Sequence, residues 1–477
     1  MADTSHPPKI AAATDASGFT RAAADWIAGS AALDMPEPVL RLAGQCLFDW
    51  FAVTIAATDE ELVPIITAIG TEGETVAQGG TLVGQGGRAT EQRAALINGT
   101  LGHALDFDDV NLRMHGHPTV PIAPALLAVA EREGLSGIAV LRAFVVGYQI
   151  AGRLGHAMGD SHYARGFHAT GTIGAVAAAA GCAALLKLDA DRTEAALGLA
   201  ATQASGIKAM FGTMAKPFHA GNAAANGVMA VRLAQQGFTA REGGLEHAQG
   251  FGAAMSDDAQ MSAADFGATP DGAPDWEITR NLFKYHAACY LTHSTIEAMA
   301  RLPAQHAIDP NEVTGIALHV PDSHRSVCDV AEPRTGLDIK FSIRHLAALA
   351  LTGADTADLS LYSEATACDA TLSELSGKTR LVTDEAEAAE RYGAKVDVTL
   401  TDGTVRSATW DVSTPVEDLD AQEETLRAKA VTLIDPKLGA GAADSLLSAI
   451  RALPAAADLS QLLHASTPAR GDLAKIG

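Results

Sequence analysis

The chain has 477 residues, of which 48% are hydrophobic and 19% charged, so it can build a large apolar core and is not of disordered composition. Its formal net charge of −23 excludes nucleic acid or an anionic membrane as the expected main partner, because either needs a basic face. A small anionic substrate stays compatible, since exposed charges are screened within roughly 8 Å at physiological salt and a few local cations suffice to hold an anion.

Five cysteines, an odd number with no C-x-x-C pair, predict free thiols in a reducing compartment. The start has no basic region followed by an apolar run, and no window approaches about 18 uninterrupted apolar residues. Neither a signal peptide nor a membrane span is expected, and the expected location is the cytoplasm.

In chain order, residues 1–18 are polar, with Pro7, Pro8 and Gly18, and read as a mobile lead-in. Residues 19–69 carry apolar side chains at helical spacing, with Pro36 and Pro38 marking a helix start. Residues 70–87, rich in Gly, Thr and Gln with a short extended TLVG, read as an excursion. Helical signals then follow at 89–106, 121–133, 137–158, 171–188, 191–203 and 220–236, with almost no strand pattern, which predicts an all-α core. Stretches such as TGTIGAVAAAAGCAALLKLD predict closely packed helices, because small side chains let backbones approach.

After about Pro274 the pattern changes. VTGIALHVPD and AKVDVTLTDGTVRSATWDV alternate apolar and polar residues, and Asp402-Gly403 at the centre of the second signals a β-hairpin. A two-residue turn there would put Val396, Val398, Leu400 and Val405 on one face. The tail returns to helical period. The expectation is mainly α: a large all-α domain from residues 1–274 and 416–477, and a smaller α+β lid domain from 275–415.

Four stretches carry candidate chemistry. NGTLGHALDFDDVNLRMHGHP (98–118) concentrates three acids and three histidines. A continuous helix would put Gly99, His103 and Asp106 on one face, so that His103 and Asp106 meet, while Asp108 and Asp109 fall near the helix end. Pro118 favours an extended backbone at His117, aiming its imidazole. HYARGFHATGTIGAV (162–176) sets His168 before a run containing Thr170 and Thr172 that opens a helix, where free N–H groups welcome a carboxylate, or where a threonine simply caps. FGTMAKPFHAGNAAANGV (211–228) offers Lys216 as a compact cation, with His219 nearby. LFKYHAACYLTHSTIEAM (282–299) holds Lys284, His286 and His293, the two histidines seven apart and able to share one helix face.

Metal patterns are poorly matched. There is no His-Asp dipeptide, no H-E-x-x-H and no D-D-x-x-D, and His115-Gly116-His117 with aspartates is a weak zinc or manganese pattern. No metal or other cofactor is expected.

Together and in this order, NGTLGHALDFDDV, GHP, GFHATGTIG, MAKPFHAGNAAANGV, KYHAACYLTH and EPRTGLDIKFS resemble the MmgE/PrpD family, which includes 2-methylcitrate dehydratase, cis-aconitate decarboxylase and iminodisuccinate epimerase. The resemblance covers nearly the whole chain. It implies a helical domain formed by both chain ends, an α+β lid, a homodimer, no obligatory metal, and a site between the domains that acts on a small di- or tricarboxylate. By resemblance Asp106, His117, His168, Lys216 and His293 are catalytic, with His117 the principal acid/base and Asp106 orienting an imidazole. Thr170, Thr172, Lys284, His103 and Lys340, the last from EPRTGLDIKFS, are the expected substrate contacts. Val110 departs from the threonine of the decarboxylase pattern, and Ala169 from the proline often found after the nest histidine. The lid segment is closer to the epimerase-like branches. The expected reaction is therefore that of a lyase, a dehydratase or decarboxylase, with an epimerase as the alternative and a non-catalytic helical binding protein as the competing class.

Overall fold

The computed structural model describes residues 18–72, 79–266, 275–306, 308–383 and 392–468. The lead-in at 1–17 and the expected boundary at Pro274 lie outside them. From the amino end come α1 (Phe19–Gly29), α2 (Glu37–Ala56), α3 (Leu62–Thr71), α4 (Glu91–Ala104), α5 (Thr119–Glu133), α6 (Gly137–Ala164), α7 (Ala169–Leu185), α8 (Ala190–Gln203), α9 (Ala215–Gln235) and the short α10 (Phe251–Met255). The excursion before α4 contributes a minimal antiparallel pair, β1 (Gly80–Thr81) with β2 (Arg88–Ala89). The fold is mainly α, as expected.

These helices form where the sequence says they should. Pro36 caps α2 and Pro38 occupies its first turn, where a missing N–H costs nothing. The helices pack closely because their contact faces are small: a Cβ on Gly99 of α4 would lie 2.8 Å from the Cα of Gly221 on α9. Phe48, Trp50 and Phe144 share one core with Leu426, Ile450 and Leu463, so both chain ends build the same body. The carboxy-terminal helices that supply the latter are α17 (Leu419–Leu438), α18 (Ala442–Ala452) and α19 (Ser460–Ala465), which follow the elements named next. Glu37–Asp59 and Gly137–Ala164 are long and apolar enough to cross a membrane by length and composition, yet 89% and 78% of their apolar windows are buried inside the protein, as in core helices.

Between these ends lie α11 (His293–Gln305), α12 (Asp322–Cys328), α13 (Gly336–Lys340), α14 (Ile343–Leu351), α15 (Glu364–Ala367) and α16 (Ala370–Gly377). They accompany a four-stranded sheet in the order β4 (Thr379–Val382), β3 (Val313–His319), β5 (Gly393–Leu400), β6 (Val405–Asp411). Ile296, Leu318, Leu346, Val396 and Val398 belong to a second, separate core.

The hairpin forms, but its register differs from the expected one. Leu400 N–H donates to Thr404 O at 2.9 Å and Gly403 has φ +82°, so the turn holds three residues and ends on a left-handed glycine. Val405 consequently stands opposite Thr399 rather than Leu400. That one-residue shift turns Val405 away from the buried Val396 and Val398 and leaves it 52% exposed on the edge strand.

Candidate active site

The helix α4 stops at Ala104, and two residues later Asp106 adopts φ +52°, an uncommon conformation for a residue with a side chain. The expected helix face carrying both His103 and Asp106 therefore does not exist: the chain turns after Leu105, and the loop that follows aims its carboxylates separately. Asn111 organises that loop, its side-chain oxygen accepting the N–H groups of Arg113 and Met114 at 2.9 and 3.0 Å. Val110 pairs with Leu282 through two backbone bonds of 2.8 and 2.9 Å, which ties the loop to the segment carrying Lys284.

Charges converge on Asp106. Its Oδ1 lies 2.9 Å from Lys216 Nζ, 3.0 Å from Lys284 Nζ and 3.7 Å from His117 Nε2. Lys284 also donates to the Asp106 carbonyl at 2.7 Å. Burial alone would raise the Asp106 carboxyl, but the ammonium groups of Lys216 and Lys284 override it and hold it well below the usual carboxylate range. Lys284 is 1% exposed; burial disfavours its charge, and the Asp106 carboxylate more than restores it, so its pKa is raised.

Asp108 is the second centre. Its two oxygens lie 2.9 and 3.0 Å from His103 Nδ1, and Oδ2 lies 3.2 Å from His117 Nδ1, a charge contact out of line for a full hydrogen bond. Burial raises this carboxyl, and His103 and His117 outweigh that, so it stays ionised. An ionised carboxylate can only accept, so the His103 proton sits on Nδ1 and Nε2 keeps its lone pair. Burial pushes His103 down to about 4, so it is neutral near neutral pH. The His103 and His117 rings meet edge to face with centroids 4.6 Å apart.

His168 stacks on His103 at 5.6 Å and its Nδ1 lies 3.1 Å from His219 Nδ1, so one imidazole donates to the other. Burial pushes both below the ordinary histidine value. Thr170 Oγ1 accepts the His117 N–H at 3.1 Å and so fixes that backbone. The start of α7 is covered: a Cβ on Gly116 would lie 3.0 Å from the Thr170 nitrogen, and the Gly171 and Thr172 N–H groups donate to the His168 carbonyl at 2.9 and 3.1 Å. Thr172 Oγ1 is 2.8 Å from His162 Nε2. Lys340 Nζ reaches the Leu105 carbonyl at 3.4 Å, beside Asp106, and burial lowers its pKa.

The structure thus brings His103, Asp106, His117, Lys216 and Lys284 together, with His168 stacked behind them and Lys340 at one edge. His293 is placed differently: its Nε2 lies 3.2 Å from the Ala288 carbonyl and its ring 4.9 Å from His286. His286 and His293 do not share a helix, because α11 begins only at His293, after the 3₁₀ turn Tyr290–Thr292.

His103, Asp106, Asp108 and His117 each offer a ligand atom, all within 4.8 Å of one another, and are of the type that holds a divalent ion. The donor chemistry fits such an ion poorly, since Asp106 already faces two ammonium groups that would repel it.

The sequence places Asp108 only near a helix end, and singles out neither Lys429 nor Glu277. Lys429 Nζ, on α17, binds Asp49 Oδ1 at 2.6 Å and the carbonyls of Phe107 and Lys284 at 2.9 and 2.8 Å. Glu277, fully buried, takes Arg113 from the loop that follows α4 at 2.6 Å. No local signal points to either, because their partners are remote in sequence.

Comparison with known proteins adds to this geometry. Residues 21–264 match the MmgE/PrpD N-terminal domain and residues 286–454 the MmgE/PrpD C-terminal domain. The chain is similar to the cis-aconitate decarboxylase-like protein oryM of Aspergillus oryzae, 30% identical over 60% of this chain and 62% of that protein. It is also similar to cis-aconitate decarboxylase of Aspergillus terreus, 28% identical over 61% of each, and to that of Homo sapiens, 30% identical over 48% of this chain and 49% of the human protein. The alignments span 62% or less of these relatives' own lengths. With both family domains present in order, the chain belongs to the MmgE/PrpD family.

Proposed function

We propose that the chain is a lyase that acts on a small di- or tricarboxylate by moving a proton at the carbon beside a carboxylate. One observation carries the reading: in a chain of net charge −23, Lys216 and Lys284 converge on a single half-buried carboxylate, with the imidazoles of His117 and His103 alongside. Both elimination and decarboxylation of such acids pass through an enediolate-like anion. That anion needs cations in place before it forms, and a water-poor site strengthens them.

His117 is the proton carrier in this proposal. Its Nδ1 side faces Asp108 and its Nε2 side faces Asp106 and the lysines, so Nε2 is the nitrogen that exchanges a proton with substrate. In decarboxylation the bond from carbon to the departing carboxylate breaks, its electron pair enters the enediolate, carbon dioxide leaves, and the imidazolium returns a proton to carbon. In dehydration the imidazole first takes that carbon's proton, and the hydroxyl on the next carbon leaves as water after protonation. The decarboxylases among the similar proteins favour the first course. Lys216 and Lys340 are the proposed carboxylate holders, since Lys284 is almost wholly buried and also bound to the Asp106 carbonyl.

The test is incubation of the purified full chain in D2O with a panel of tricarboxylates, dicarboxylates and imino diacids, followed by proton NMR. Released carbon dioxide or a new alkene supports the lyase. Deuterium appearing in a recovered epimer transfers the assignment to an isomerase, and neither turnover nor exchange with any acid sinks both. His117→Ala that folds and retains the parent rate removes His117 from its role.

A further inference from the structure

We propose that His219 is a positioning residue that acts through His168: across their Nδ1–Nδ1 hydrogen bond it passes protons between solvent and the site. The two nitrogens lie 3.1 Å apart, with His168 2% exposed and His219, the outer partner, 9%. The contact is built from both sides. His219 stands near the start of α9, three residues after Lys216, so the helix that brings a cation to Asp106 also brings an imidazole to His168. His168 immediately precedes α7, and its N–H donates to the Gly206 carbonyl at 3.0 Å. Gly206 has φ +139°, and a Cβ there would lie 3.2 Å from His219 Cγ and 3.5 Å from His168 Cβ. Glycine therefore suits this place twice, by conformation and by the room it leaves for two rings. On the other side, a Cβ on Gly171 of α7 would lie 3.1 Å from His219 Cβ.

A bond between two Nδ1 atoms fixes what the other edge of each ring does. Both imidazoles are neutral near neutral pH, because burial favours the uncharged form, so one must donate and the other accept. When His219 donates, His168 keeps its own proton on Nε2 and offers the site a donor. When His168 donates, its Nε2 is bare and offers the site a base. The passage of one proton interchanges the two arrangements. The His168 Nε2–H bond breaks as its proton goes to the reacting group, the His219 Nδ1 proton crosses to His168 Nδ1, and a solvent proton joins His219 Nε2. Both rings end neutral, and one proton has moved from solvent to the site. The reverse sequence carries a proton out.

The chemistry gives the relay its purpose. Decarboxylation consumes one proton in each turnover, since a carboxylate and a proton become a C–H bond and carbon dioxide. Dehydration needs one group to take the proton from carbon and a second to protonate the departing hydroxyl. His117 fills one place, flanked by the Asp108 and Asp106 carboxylates. His168, stacked on His103 at 5.6 Å, is backed instead by a ring that passes protons on. That purpose rests on the proposed lyase function, whereas the proton shared between the two rings does not.

The experiment joins nitrogen NMR of the full chain, its histidines isotopically labelled, to the kinetics of two variants. In the parent, the Nδ1 signals of His168 and His219 are expected between the positions of protonated and bare imidazole nitrogen, as a shared proton requires. His219→Asn keeps an amide that can hydrogen-bond to His168 but cannot pass a proton through, and His219→Ala leaves a gap. In both, kcat should fall about a hundredfold with KM within about twofold. Added imidazole should restore the alanine variant, and N-methylimidazole, which has no N–H to pass on, should not. Parent-like kcat in His219→Asn, or equal rescue by the two additives, would mean that His219 only packs and overturns the proposal. One fixed tautomer of His168 in the parent overturns it as well, and that reading decides alone should the variants fail to fold. A shared proton in a chain that turns over no carboxylate upholds the pair and rejects the lyase reading. Turnover with a fixed tautomer does the opposite.

Discussion

Asp108 and His103 are locked together: the Nδ1–H of His103 lies 2.9 and 3.0 Å from the two oxygens of one buried carboxylate, which also flanks His117 at 3.2 Å. One carboxylate therefore sets the tautomer of one imidazole and biases the other. Asp108→Asn keeps the shape but offers an amide that can donate as well as accept, so the tautomers are no longer imposed. The expected outcome is a fall in kcat of about a hundredfold to ten-thousandfold, the usual worth of a positioned acid/base, with an unchanged circular dichroism spectrum. A variant within twofold of the parent would show that Asp108 only packs.

The next residue predicts the opposite. Asp109 accepts from Thr119 Oγ1 at 2.6 Å, and its other oxygen is buried without a partner. Burial pushes its carboxyl well above the ordinary range despite the Thr119 bond. A raised folded pKa stabilises the fold fully below the unfolded value of about 3.9, and that contribution is lost as pH rises toward the folded value. Asp109→Asn removes the titration. The expected result is a denaturation midpoint that declines less than the parent's as pH is raised above the ordinary carboxyl range, with activity retained at neutral pH.

These neighbouring acids show what the residue order makes legible and what it leaves open. Apolar periodicity located the helices within a few residues, since burying one face of a helix is a local requirement; α2 begins where Pro36 and Pro38 mark it. The cluster of acids and histidines was equally visible. Which acid serves which histidine was not, because spacing implies a partner only while the helix continues, and α4 ends before Asp106 turns left-handed. The Val405 face was lost in the same way, through one extra residue in a turn. Lys429 and Asp49 lie 380 residues apart, and only the fold introduces them.

The two lysines on Asp106 separate into structure and binding. Lys284 is buried, so Lys284→Met leaves the partly exposed Asp106 carboxylate short of one cation. Breaking a fully buried pair costs about 3–5 kcal/mol, and the expected loss, read as a lower thermal midpoint, lies below that. Asp106→Asn added to Lys284→Met should restore part of that loss. Lys216, with its side chain 14% exposed, is placed to meet a substrate. Lys216→Met is expected to raise KM at least tenfold with a smaller change in stability, and equal stability losses for the two variants would contradict the division.

The His103, Asp106, Asp108 and His117 group gives a metal test with a definite sign. With Lys216 and Lys284 on Asp106, zinc or manganese added to the protein should leave its thermal midpoint unchanged, and prolonged chelation should leave turnover unchanged. Removing the repulsion in a Lys216→Met, Lys284→Met double variant should make the midpoint rise with added metal. A rise already present in the parent would mean that the aspartate is available to a cation.

Glu277 ties the loop to the scaffold from a distance. It is fully buried, with Oε1 2.6 Å from Arg113 of the loop after α4 and 3.4 Å from Arg153 of α6. Its N–H donates to Gln149 Oε1 at 2.9 Å. Glycine at position 152 makes room for it, since a Cβ there would lie 2.6 Å from Glu277 Oε2. The same strand of chain then pairs Leu282 with Val110 and supplies Lys284, so Arg113 and Lys284 are held in register by one short segment. Glu277→Gln weakens the grip on Arg113 without removing volume. Hydrogen exchange should accelerate at the amides of Val110, Asn111 and Leu282 while the core of α7 keeps its protection, and kcat should fall more than KM rises. Acceleration spread evenly over the whole helical body would mean that Glu277 supports the fold at large rather than the loop.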